Sequence, residues 1–151
     1  MNIIIVEDEK LAAERLTKLV QKLVPEAQIV AKLDSVISTI NWLQHNPAPD
    51  LGFFDIQLAD GLSFEVFEHC KPDFPIIFTT AFDEYALKAF KVNSIDYLLK
   101  PVDEEELLFA IKKFKLLRKS ETSPSHVNLN AIEKVVNVLT RKFKTRILVR
   151  V

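Results

Sequence analysis

Five short apolar runs, separated by stretches whose apolar residues recur every three or four positions, constrain this chain more than any other feature. Residues 2–6, 28–33, 51–55, 75–80 and 95–99 are rich in Ile, Val, Leu and Phe, as expected for parallel strands covered on both faces. Between them, residues 9–23, 36–44, 63–70, 84–92 and 103–119 carry helical periodicity. The first of these aligns Ala12, Leu16, Leu19, Val20 and Leu23 on one stripe. Asp34 or Ser35, and Asp83, stand where helix N-caps belong, and Pro101 ends the fifth run before Asp103 opens the last helix. Five strand–helix units within residues 1–119 imply an α/β fold with a right-handed, doubly wound parallel sheet.

Such sheets bind ligands beyond the carboxyl ends of their strands, and the polar residues of the runs gather at those ends. Glu7 and Asp8 follow the first run, Asp55 closes the third, Thr79 and Thr80 close the fourth, and Lys100 follows the fifth. If the first and third runs are neighbouring strands, three carboxylates meet. Their repulsion then costs stability unless a hard cation such as Mg²⁺ sits among them. Taken singly, an acid ending a strand also reads as a turn or cap residue; the set together favours a site.

With only two glycines, Gly52 and Gly61, the chain has no Gly-rich loop to cradle phosphate with backbone amides, so phosphate chemistry must use side chains. His45, His69 and Cys70 match no zinc spacing and read as surface or packing residues.

Composition bounds the remaining classes. A chain of 151 residues, 48% hydrophobic and 27% charged, suits one domain with a core plus an appendage. The net charge of -1 gives no general attraction to nucleic acid or anionic membrane. The lone Cys70 makes no internal disulfide, the start is unlike a signal peptide, and no apolar run approaches the roughly 18 residues of a membrane span. A soluble, cytoplasmic protein with no membrane partner is expected. Residues 120–128 read as a polar linker. Beyond it Leu129, Ile132, Val136, Leu139 and Phe143 form an amphipathic helical stripe before a strand-like, basic end.

Ile3-Ile4-Ile5-Val6-Glu7-Asp8-Glu9, Phe53-Phe54-Asp55-Ile56-Gln57-Leu58, Phe78-Thr79-Thr80-Ala81 and Asp96-Tyr97-Leu98-Leu99-Lys100-Pro101 resemble the receiver domains of two-component response regulators. The resemblance covers about residues 1–119, and four ordered blocks, each at a strand end, make it specific. It implies a flavodoxin-like (βα)5 domain with strand order 2-1-3-4-5. It implies that Asp55 is the phosphoacceptor, charged by a sensor histidine kinase or a small phosphodonor. Mg²⁺ would be held by Asp8, Asp55 and the backbone carbonyl of Gln57, with Glu7 helping directly or through water. Lys100 would pair with the phosphoryl oxygens, and the Lys100–Pro101 peptide would be cis.

The switch hydroxyl by resemblance is Thr80 rather than Thr79, because it directly precedes the small Ala81. By residue type alone, Thr80 reads equally as a strand residue capping the next turn. Tyr97 resembles the aromatic that moves inward with that hydroxyl, and also reads as a half-buried strand residue. Gln57 and Phe82, two residues past Asp55 and Thr80, flank the route of hydrolytic water and are expected to tune the lifetime of the phosphoryl group; Phe82 reads equally as a surface aromatic.

Residues 83–90 and 96–101 are similar to receivers of the LytTR (LytR/AlgR) class, whose members carry a β-rich DNA-binding domain after the linker. Residues 129–151 look like only the first helix and strand of that domain, so the chain is expected to be truncated there. DNA would be contacted through the missing remainder, although Arg141, Lys142, Lys144, Arg146 and Arg150 also read as a solvated helix end and edge strand. The expected function is a phosphorylation-controlled switch. The face made by the fourth helix, fifth strand and fifth helix would control homodimerisation and transcriptional output. The domain would assist its own phosphorylation and dephosphorylation without being a metabolic enzyme. Two alternatives stand beside it: a stand-alone receiver acting through protein contacts, and a haloacid-dehalogenase-like phosphatase. The latter normally needs a second Asp two residues after the first, where this chain has Gln57.

Overall fold

The computed structural model describes residues 1–71, 73–81 and 94–121, with side chains given up to residue 118. The expected helix 84–92 with its Asp83 cap, Phe82, and everything expected beyond residue 121 lie outside the described residues. The chain divides into two compact units, residues 1–108 and 109–151; the first contains the sheet and the candidate site.

Strands β1 (Asn2–Val6), β2 (Gln28–Leu33), β3 (Leu51–Asp55), β6 (Ile76–Thr80) and β7 (Ser94–Leu99) form one parallel sheet in the order β2-β1-β3-β6-β7. Counting only these strands, the order is 2-1-3-4-5, the doubly wound arrangement expected. A separate antiparallel hairpin, β4 (Gln57–Leu58) with β5 (Gly61–Leu62), follows β3 directly. The central strands β3 and β6 are buried throughout, whereas β2 at the edge alternates between exposed and half-buried positions. Edge position alone does not set this, because β7, at the other edge of the sheet, is buried from Ile95 to Leu98.

Helix α1 (Lys10–Leu23) buries Ala13, Leu16, Thr17 and Val20. The buried stripe is therefore rotated from the expected one, taking in Ala13 and Thr17 and leaving Ala12 and Leu19 half-buried. A threonine can occupy this apolar face because its hydroxyl donates to the Ala13 carbonyl at 2.7 Å, so no polar atom is left unmet. Helix α2 (Val36–His45) starts at Ser35, which forms a reciprocal capping box with Ser38.

The expected helix 63–70 is instead a 3₁₀ turn (Ser63–Glu65) followed by one α-turn, α3 (Val66–His69). Its start is tied to the hairpin by the Ser63 N–H, which donates to the Ile56 carbonyl at 2.8 Å. The last helix (Glu104–Glu121) is opened by Asp103, whose carboxylate accepts from the Glu106 N–H at 3.1 Å. It continues two residues past the expected end at residue 119. Glu104, Glu105 and Glu106 in its first turn suit the positive end of the helix dipole.

Phe54, Phe64, Phe67, Phe74 and Phe78 pack as one aromatic cluster, with ring centroids 5.2 to 6.5 Å apart. Gly52 leaves room for it: a Cβ there would lie 2.7 Å from a Phe54 ring carbon and 2.9 Å from one of Phe74.

Candidate functional site

The ladder register brings the strand ends to one edge. Val6 stands opposite Phe54 and Asp55 opposite Thr79, so Glu7 and Asp8 leave β1 beside the residue that ends β3. One carboxylate oxygen from each of Glu7, Asp8 and Asp55 lies within 4.8 Å of the others. Glu7 and Asp55 are 7% and 6% exposed, while Asp8 is open to solvent. Among the described residues, these three make the group of metal-ligating side chains close enough to share one ion. Three carboxylates are hard oxygen donors, the chemistry that Mg²⁺ prefers, so the residues present fit that ion.

Lys100 reaches the same point from the end of β7. Its ammonium donates to Glu7 and, at 3.1 Å, to Asp55 Oδ2. The Lys100–Pro101 peptide is cis. Burial pushes the Glu7 carboxyl above its ordinary range; the Lys100 hydrogen bond opposes the rise and neighbouring Asp55 adds to it. Asp8 is raised as well, first by burial and then by its hydrogen bond with Glu7. For Lys100, burial disfavours the charge, but the Glu7 hydrogen bond and the charge of Asp55 outweigh it and hold the ammonium above its usual pKa. The acids thus crowd one another around the Lys100 ammonium.

Both threonines of β6 are buried, and Thr79 rather than Thr80 is the register partner of Asp55; Thr80 pairs with Leu99. Tyr97 is buried in β7, at 2% exposure, and Ala81 is exposed. Gln57 begins the hairpin, with its side chain exposed. Beside the carboxylates a cavity of about 340 Å³ runs between α1 and the segment after β7, walled by Ala12, Leu16, Leu19, Pro101 and Val102, with Glu7, Thr79 and Lys100 also lining it. Arg15 spans from α1 to the Val102 carbonyl at 3.3 Å.

The response regulator receiver domain family matches residues 3–112. The chain belongs to that family. Among curated relatives, this receiver is 36% identical over 129 residues to the sensory transduction protein LytT of Bacillus cereus, covering 83% of this chain and 52% of that protein. LytT of Enterococcus faecalis is 43% identical over 116 residues, covering 75% and 47%. The transcriptional regulatory protein BtsR of Escherichia coli K12 is 38% identical over 109 residues, covering 71% and 45%. The chain therefore spans about half the length of the curated relatives it matches. Among solved structures, the response regulatory domain of protein mrkE from Klebsiella pneumoniae superposes with a TM-score of 0.67 at 34% identity, covering 76% of this chain and 95% of that one. Among the described residues of the receiver, no helix is long and apolar enough to cross a membrane.

Sequence reasoning missed three parts of this edge: the apolar cavity, the Arg15 strap, and Asp60. The Asp60 carboxylate takes the N–H groups of Val36 and Ile37 at the start of α2, at 2.8 and 3.1 Å. Those bonds hold its carboxyl below the usual range, the Val36 bond most of all. Asp60-Gly61 is readable as a turn, but nothing local signals a contact 24 residues away.

Proposed function

We propose that this receiver accepts a phosphoryl group on Asp55 from a sensor histidine kinase in a Mg²⁺-dependent reaction, and that the charged form controls dimerisation and a DNA-directed output. The observation that carries the reading is the convergence of Glu7, Asp8 and Asp55 at one strand edge with Lys100 bridging two of them. Glu7, Asp8, Asp55 and the backbone carbonyl of Gln57 would hold Mg²⁺, which when bound neutralises phosphoryl oxygens that would otherwise be repelled.

In the transfer, an Asp55 carboxylate oxygen attacks the phosphorus of the donor. The new O–P bond forms as the donor's N–P bond breaks, and the imidazole leaves with the electron pair. Lys100 already touches Asp55, so its ammonium is placed to follow the charge onto the phosphoryl oxygens. Thr80 would supply the hydroxyl that engages the acyl phosphate, with Ala81 leaving space beside it. Tyr97 and the face built from residues 84–92, the strand Ser94–Leu99 and the helix Glu104–Glu121 would carry the change to partners. Gln57 and Phe82 would set the lifetime of the acyl phosphate.

Residues 1–119 would be the phosphoacceptor domain, 120–128 a linker, and 129–151 the start of an effector domain of LytTR type, whose remaining parts would read DNA. Such a switch acts in the cytoplasm and catalyses only its own modification. Incubation with acetyl phosphate and Mg²⁺ tests the core of the proposal: intact-mass analysis is expected to show a phosphoryl adduct on the wild type and none on Asp55→Asn. An unmodified wild type, or an adduct retained in Asp55→Asn, rejects it.

A further inference from the structure

We infer that Asp60 is a positioning residue for the Mg²⁺ site: its carboxylate clamps the hairpin that carries the Gln57 carbonyl to the amino end of α2. The inference rests on the reading of Glu7, Asp8, Asp55 and Gln57 as metal ligands and adds to it an element outside their immediate neighbourhood.

The hairpin needs an external hold. Each of its strands has only two residues, and a lone two-stranded hairpin is marginal in water. At its base the Ile56 N–H donates to the Thr79 carbonyl at 3.0 Å, and the Ser63 N–H to the Ile56 carbonyl at 2.8 Å. Its tip has the Asp60 bonds. Gly61 shapes that tip at φ 144°, where an added Cβ would meet a Glu65 carboxylate oxygen at 2.5 Å. The segment between Asp55 and Ser63 is therefore fixed at both ends, and the Gln57 carbonyl lies between the two anchors.

The hydrogen bonds at the helix start show that Asp60 does something the helix cap does not. Ser35 already serves Ser38 through its side chain at 3.0 Å and Thr39 through its carbonyl at 3.1 Å. The Val36 and Ile37 amides, which no intrahelical acceptor can reach, are taken by Asp60 from another part of the chain. Removing the Ser35 hydroxyl deletes the cap bond to Ser38 and leaves in place the two Asp60 bonds that join the hairpin to Val36 and Ile37. Removing Asp60 would release the hairpin tip while the helix keeps its own cap. Groups bonded directly to a metal ligand typically change metal affinity by about 10- to 100-fold; Asp60 acts on the Gln57 carbonyl only through the hairpin, so a smaller change is expected.

The test uses the whole 151-residue chain and three variants, Asp60→Ala, Asp60→Asn and Ser35→Ala, each with Mg²⁺ affinity from chemical-shift titration and a thermal melt. Asp60→Ala is expected to weaken Mg²⁺ binding about fivefold, with Asp60→Asn between it and the wild type because one acceptor oxygen remains. Ser35→Ala is expected to lower Tm by about 4 °C and leave Mg²⁺ affinity unchanged. By reciprocity, saturating Mg²⁺ should slow hydrogen exchange at the Val36 and Ile37 amides of the wild type, and should do so much less in Asp60→Ala. Unchanged affinity in Asp60→Ala, or an equal loss in Ser35→Ala, overturns the positioning role while the metal reading stands. A wild type that binds no Mg²⁺ overturns the metal reading and this inference with it.

Discussion

Replacing Lys100 by Met tests the electrostatic logic of the site, because it deletes the charge and keeps most of the stem. In the metal-free protein Lys100 is the counter-charge for two carboxylates, with side-chain exposures of 23% for Lys100, 4% for Glu7 and 8% for Asp55. At 3.1 Å, one such pair attracts by about 5 kcal/mol at an effective dielectric of about 20. Desolvation cancels part of that gain, and breaking a buried pair typically costs about 3–5 kcal/mol because the abandoned charge stays buried. Since Lys100 keeps partial contact with water, a loss of about 2–3 kcal/mol is expected, or roughly 6–9 °C in Tm for a chain of this length. Melts in EDTA and in 10 mM Mg²⁺, at neutral pH, measure it. The deficit should be largest in EDTA and should shrink in Mg²⁺, since the ion supplies the missing charge, so Lys100→Met gains more from Mg²⁺ than the wild type does. Equal melting temperatures in EDTA, together with equal gains in Mg²⁺, would refute the idea that Lys100 stands in for the ion.

Protons should compete with the metal. The folded Glu7 carboxyl lies above its ordinary 4.5, so the native state binds the extra proton: the metal-free fold gains stability as pH falls through that raised value, and Mg²⁺ affinity drops over the same window. Titrations stepped from pH 7.5 down to the ordinary 4.5 of a free Glu check this, and affinity that stays constant over the whole range contradicts it. Gly52→Ala should cost about 1–3 kcal/mol in a denaturant melt, because the new methyl runs into the Phe54 and Phe74 rings; a neutral effect would mean the aromatic cluster yields easily. Thr80→Ala should slow the response to acetyl phosphate more than Thr79→Ala. The reverse order would move the switch hydroxyl to Thr79, the register partner of Asp55.

The strands were legible because each carries its own signal. A run such as Ile3-Ile4-Ile5-Val6 has nowhere to put a polar face, so its burial on both sides follows from its composition. The convergence of Glu7, Asp8 and Asp55 was legible only on the condition that β1 and β3 are neighbours, since strand pairing is non-local and no single segment records it. The ladder meets that condition. The buried face of α1 was misplaced by one position because Ala12 and Ala13 are equally apolar and Thr17 looks polar; its bond to the Ala13 carbonyl decides the matter and is made only once the helix exists.

Asp60 shows the deeper limit. An acid at the end of a buried strand violates the local pattern, and that violation is what draws attention to Glu7 and Asp55. Asp60 before Gly61 violates nothing, because the pair satisfies the needs of a turn by itself. Its second task, holding the amides of Val36 and Ile37, adds no residue type that the turn had not already explained. Candidate site residues such as Glu7 and Asp55 therefore stand out by breaking local rules, whereas a long-range contact such as that of Asp60 obeys every local rule and only the folded chain reveals it.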